Sequence, residues 1–90
     1  MGYTITQFQD TPNPNALKCV LDRPFPSSEQ LRSYQSADAA QTDPVAAALF
    51  TVPGVVGVLI NPAWVTVSKA PDAQWKHVKA GVRQVLADAH

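Results

Sequence analysis

The chain has 90 residues, 46% of them hydrophobic and 16% charged, which is the composition of one folded soluble domain and not of a disordered segment. Seven basic residues balance seven acidic ones, so there is no broad attraction to nucleic acid or to an anionic membrane surface, and no apolar run approaches the ~20 residues that span a bilayer. The single cysteine, Cys19, excludes an intrachain disulfide and a multi-thiolate metal site within one chain. With an N-terminus that lacks the basic and apolar regions of a signal peptide, it makes the reducing cytoplasm the expected compartment.

Tyr3 to Gln9 is predicted to be a strand, with Tyr3, Ile5 and Gln7 on one face and Thr4, Thr6 and Phe8 on the other, although neither face is cleanly apolar. Pro12 and Pro14 then make Asp10–Asn15 a stiff polar loop, since neither has an amide donor and each biases the preceding residue towards extended backbone. Ala16–Leu21 reads as a second strand with Leu17, Cys19 and Leu21 on one face. The segment 23–28, with Pro24 and Pro26, breaks the pattern, and Glu29–Tyr34 fits either a helix or a short edge strand. Asp43 followed by Pro44 opens a helix, as N-cap and first helical residue, and Pro53-Gly54 ends it. Val55–Ile60 is a nearly continuous apolar run and reads as a central strand. Asn61-Pro62 connects it to an antiparallel partner over Ala63–Lys69. A last helix starts at Pro71-Asp72 and carries a stripe of Trp75, Val78, Val82, Val85, Leu86 and Ala89. The expected architecture is α+β, two-layer, with a mainly antiparallel sheet and helices packed on one face.

Few residues carry chemistry. Cys19 lies between Leu17 and Leu21 in the strand pattern, where a cysteine acts as a small hydrophobe; a nucleophile would need a base, a cation or a helix N-terminus to lower its pKa, and only the residue type argues for one. His77 falls opposite the apolar stripe and is expected in solvent, and His90 at the terminus is expected to be mobile. Trp75 fits the buried stripe, whereas Trp64 is out of phase with Val65 and Val67 and either covers a helix or lies exposed as a partner anchor. Lys76, Lys79 and Arg83 read as a solvated helix face. The loop Thr11-Pro12-Asn13-Pro14-Asn15 has two readings: a rigid turn whose asparagines bond their own backbone, or a preorganised surface that offers them to a partner.

Thr11-Pro12-Asn13-Pro14-Asn15-Ala16-Leu17-Lys18 resembles the signature of the N-terminal domain of the Nfu/NifU-like iron–sulfur cluster scaffold proteins. The resemblance continues through Asp43-Pro44-Val45-Ala46, Leu49-Phe50, Gly54-Val55, Val58, the strand Val65–Lys69 and Trp75, and so covers nearly the whole chain. It implies an α+β domain that accompanies iron–sulfur cluster assembly and is described in the family as iron-binding, and it tips Glu29–Tyr34 towards strand. Family members hold the cluster by a Cys-x-x-Cys motif in a separate C-terminal domain, a motif absent here, and usually carry a bulky apolar residue at the position of Cys19. The expectation is therefore a non-catalytic interaction module with no metal ligands of its own, for which iron or a cluster enters only through the family. It would bind a scaffold, a cluster carrier or an apo-target through Thr11, Asn13, Asn15 and Lys18, with Pro12 and Pro14 fixing their geometry. Two alternatives stand beside it: labile iron or cluster binding between two chains through Cys19, and a small thiol enzyme using Cys19 and His77.

Overall fold

A computed structural model describes residues 2–24 and 31–88. The expectations for residues 25–30, for Ala89 and for His90 fall outside them. In chain order the elements are β1 (Ile5–Asp10), β2 (Ala16–Leu21), β3 (Arg32–Tyr34), α1 (Pro44–Leu49), β4 (Val55–Ile60), β5 (Trp64–Lys69) and α2 (Trp75–Asp88). The five strands form one sheet in the order β1-β2-β5-β4-β3, antiparallel at every pairing. Two hairpins, β1–β2 and β4–β5, are joined edge to edge by β2 and β5, and the short β3 closes the far side.

Alternation decides which face of each strand is buried. Cys19 and Leu21 of β2, Val65 and Val67 of β5, and Val58 and Ile60 of β4 all point to one side, where they form one core with Ala46 and Leu49 of α1 and Val78, Val82 and Leu86 of α2; Leu17 is buried at the loop end of β2. Fully burying a Val or Leu side chain stabilises a fold by about 1.5–3 kcal/mol, so this single layer of contacts supplies most of the driving force. Both helices lie on that face, as a two-layer α+β domain requires.

β1 departs from simple alternation. Ile5 pairs with Leu21 and Gln7 with Val20, so Thr6 is an extra residue, a β-bulge that reverses the phase of the strand. Tyr3 and Ile5 face the core before the bulge, and Phe8, opposite Cys19, faces it afterwards. The strand expected over Tyr3–Gln9, with Tyr3, Ile5 and Gln7 on one face throughout, is thus corrected to Ile5–Asp10 with a bulge that turns Ile5 and then Phe8 inward. Tyr3 itself is buried, and its N–H donates to the carbonyl of Leu86 at 2.7 Å.

The helix starts follow from capping. Asp43 Oδ1 accepts from the Ala46 amide at 3.3 Å and Pro44 occupies the first turn, as expected. The other carboxylate oxygen of Asp43 accepts from Tyr34 Oη at 3.0 Å and pairs with Arg32, so one buried carboxylate caps α1 and docks β3 onto it. Burial, and then the hydrogen bond to Asp43, raise the Tyr34 phenol above its ordinary pKa. α2 starts later than expected. Pro71 and Asp72 belong to a turn, and the first helical amides, of His77 and Val78, donate to the carbonyl of Gln74. Between the helices Gly54 takes φ 95°, which closes the turn whose Val55 amide donates to the carbonyl of Val52 at 3.2 Å.

Candidate functional site

The proline–asparagine loop joins β1 to β2 and turns back on itself through its own polar groups. The Asn13 amide donates to Thr11 Oγ1 at 3.1 Å, and that hydroxyl lies 2.9 Å from the carbonyl of Asn13 and 3.0 Å from that of Ala16. Asn13 Oδ1 accepts from the Asn15 amide at 2.9 Å, an Asx turn, and the Ala16 amide donates to the carbonyl of Asn13 at 3.0 Å. These bonds form because the prolines remove the two competing amides and hold the intervening backbone extended.

Two residues far along the chain lock the loop to the rest of the fold. Lys69, at the end of β5 and only 8% exposed, donates from Nζ to Asn15 Oδ1 at 3.1 Å and to the carbonyl of Ala70 at 3.3 Å, while its amide donates to the carbonyl of Asn15. Trp75, the first residue of α2, donates from Nε1 to the carbonyl of Pro14 at 3.2 Å, and Lys69 Nζ sits 5.6 Å from its ring centroid. Trp75 was expected in the core; it is instead half-buried at the core's margin, because the first residue of the helix overhangs the loop. Beside it the loop, Ala16, Leu17, Asp10 and Lys79 enclose a cleft of about 430 Å³. Pro12, Asn13 and Pro14 are exposed at its rim.

Of the six residues expected to meet a partner, Thr11, Pro12, Asn13, Pro14 and Asn15 are therefore gathered at one place. Lys18 is not with them. Its register opposite Thr66 puts it on the open face of the sheet, where its ammonium lies 4.7 Å from the ring centroid of Trp64. Trp64 is half-buried there, away from both helices. Lys69 was overlooked, although a signal was available: the alternation that places Val65 and Val67 inside places Lys69 inside as well, and a lysine on that face requires partners.

Cys19 has no exposed surface, and burial pushes its thiol up to about 12 from 9.0, against the opposing pull of Lys79 and Arg83. A thiol so protonated and enclosed is neither a nucleophile nor an accessible ligand. His77 is exposed and lines a separate cleft beside Pro53 and Gly54. These placements remove the physical basis for both alternatives, cluster binding through paired Cys19 residues and a Cys19–His77 enzyme. Among the described residues no three His, Cys, Asp or Glu side chains converge on a point where a metal ion could sit.

The antiparallel five-stranded sheet with both helices on one face, and a locked loop at one corner, defines a small two-layer α+β domain. Residues 5–90 match the family model described as "Scaffold protein Nfu/NifU N terminal", and the chain belongs to that family. The mitochondrial NFU1 iron–sulfur cluster scaffold homolog of Drosophila erecta is 35% identical over 82 residues, which are 91% of this chain and 29% of that protein. The Homo sapiens counterpart is 32% identical over 87 residues, covering 96% of this chain and 34% of its own length. The chain thus spans about a third of the curated relatives it matches. Among solved structures, protein SAV1430 of Staphylococcus aureus superposes with a TM-score of 0.75 at 26% identity, covering 91% of this chain and 96% of that one. A NifU-like protein of Saccharomyces cerevisiae shares the fold, with a TM-score of 0.70.

These relatives correct one expectation. The curated proteins are named as mitochondrial, which overturns the cytoplasmic assignment. The inference failed because a lone cysteine excludes only an intrachain disulfide and does not select among compartments. The chain's one thiol, Cys19, is fully buried.

Proposed function

We propose that this domain is a non-catalytic interaction module of iron–sulfur cluster assembly, with the cluster as cargo held by other proteins. It would present a scaffold, a cluster carrier or an apo-target with the rim of Pro12, Asn13 and Pro14. One observation carries the reading: the side chains of Thr11, Asn15, Lys69 and Trp75 are all spent on holding that rim in a single shape. A surface ordered before contact avoids the entropy that a mobile loop loses on binding. Asn13 accepts through Oδ1 from its own loop and is exposed at the rim, so its Nδ2 donors would serve the partner. Lys18 enters the proposal as a contact on the open sheet face, for a partner that reaches round the start of β2.

Affinity capture from native lysate, compared between the wild-type domain and an Asn13→Ala/Asn15→Ala variant, tests this reading. Enrichment of cluster-assembly proteins by the wild type alone, with the circular dichroism spectrum unchanged, is the expected result. Equal capture by both forms, or a set of unrelated proteins, refutes it.

A further inference from the structure

A second surface with its own chemistry lies along the adjoining edge of the sheet. β1 is an end strand: β2 pairs with one side of it, and no described strand pairs with the other. Its half-buried aromatic, Phe8, carries two cations over its ring, with Lys79 Nζ 4.9 Å and the guanidinium carbon of Arg83 4.8 Å from the centroid. The ring attracts each cation, but the two charges repel one another. Neither has a carboxylate within ion-pair distance among the described residues, where the one ion pair is Arg32–Asp43. Lys76, exposed on the preceding turn of α2, adds a third positive charge. In a chain whose total charge is zero, this is a local excess. Asp10 lines the cleft together with Lys79 and bounds the patch at that end.

We propose that this edge binds an acidic peptide in extended form. Its backbone would pair with β1 over Gln7–Asp10, beyond the bulge, and its carboxylates would neutralise Lys79 and Arg83. Charge complementarity selects an acidic partner, and the strand edge selects a peptide. An unpaired edge matches the N–H and C=O groups of another backbone, whereas three cations neutralise too few phosphates to hold a nucleic acid. Gln7 and Gln9, on the other side of the strand, carry no charge to oppose it. The inference shares Lys79 with the cleft but does not depend on the role of the proline–asparagine loop.

Fluorescence anisotropy with a labelled peptide of alternating Thr and Glu, and with its Thr–Lys counterpart, tests the proposal on the whole chain. The Glu peptide binds and the Lys peptide does not, and added salt weakens the complex. Lys79→Gln combined with Arg83→Gln weakens binding roughly tenfold with helix content unchanged, Asp10→Asn strengthens it, and Asn13→Ala leaves it as in the wild type. Backbone pairing also slows amide exchange at Gln7, Phe8 or Gln9, which a contact through charges alone does not do. No binding, equal binding of the two peptides, unchanged β1 exchange, or sensitivity to Asn13→Ala but not to the Gln pair would each overturn it.

Discussion

Replacing Trp75 by phenylalanine isolates what the indole does for the loop. Phenylalanine keeps most of the apolar contact with the margin of the core but deletes Nε1, and with it the 3.2 Å bond to the carbonyl of Pro14. A hydrogen bond of this kind contributes about 0.5–1.5 kcal/mol net. The lower half of that range applies, because Pro14 is exposed and its carbonyl can turn to water. The benzene ring also attracts the Lys69 ammonium less than the indole does, which costs a further few tenths of a kcal/mol. The total is about 1 kcal/mol, or about 4–8 °C in Tm for a domain of this size. The informative assay is amide exchange. The Asn13, Asn15 and Ala16 amides, all engaged inside the loop, should exchange faster in Trp75→Phe at temperatures where the β4–β5 amides do not. Should the Tm fall while loop exchange stays as in the wild type, Trp75 is only packing and the stiffness of the loop has another origin.

Asp43→Ala removes the cap of α1 and the acceptor for Tyr34 and Arg32 in one step, and leaves that cation in a partly buried site. Urea unfolding should show a loss of about 3 kcal/mol, well above that of an isolated cap. The Cys19 thiol titrates near its ordinary 9.0 in the unfolded chain and at about 12 in the folded one, so the folded state holds its proton more tightly. Stability is therefore unaffected by this group below pH 9 and falls by up to about 1.4 kcal/mol per unit as pH rises from 9 towards 12. Cys19→Ala should lack this component when the two are compared by alkaline denaturation. Iodoacetamide should modify Cys19 only at urea concentrations that unfold the chain.

Where one physical rule dominates, the architecture could be read from the chain. The alternation of Leu17, Cys19 and Leu21, the Asp43-Pro44 cap and the Asn61-Pro62 turn are each local, and each stands where expected. The phase of β1 was not legible, because a bulge is specified by the partner strand and by Tyr3 and Phe8 both seeking the core, not by Thr6 itself. Of the loop's two readings, the geometry shows the rigid turn, because its asparagines bond within the fold; the partner surface belongs to the proposed function. Trp75 was misplaced for a related reason. A helical stripe records spacing around an axis but not where along that axis the sheet gives out, and the first residue of α2 projects past it. Lys18 and the loop adjoin in sequence, yet the pleat of β2 sends Lys18 to the opposite face.

The bonds that lock the loop cross the seam between the two hairpins. Asn15 and Lys69 are 54 residues apart, and Pro14 and Trp75 are 61. A nascent chain that has completed β1, the loop and β2 therefore has every residue of the signature but not its anchors. Its local turns involve residues 11–16 alone, but the anchors that fix it to the fold are acquired only after β5 and the start of α2 have left the ribosome and the hairpins have docked. Two consequences follow: a synthetic peptide of the signature would be a poor mimic of the rim, and a partner that reads the rim also verifies that the domain has finished folding.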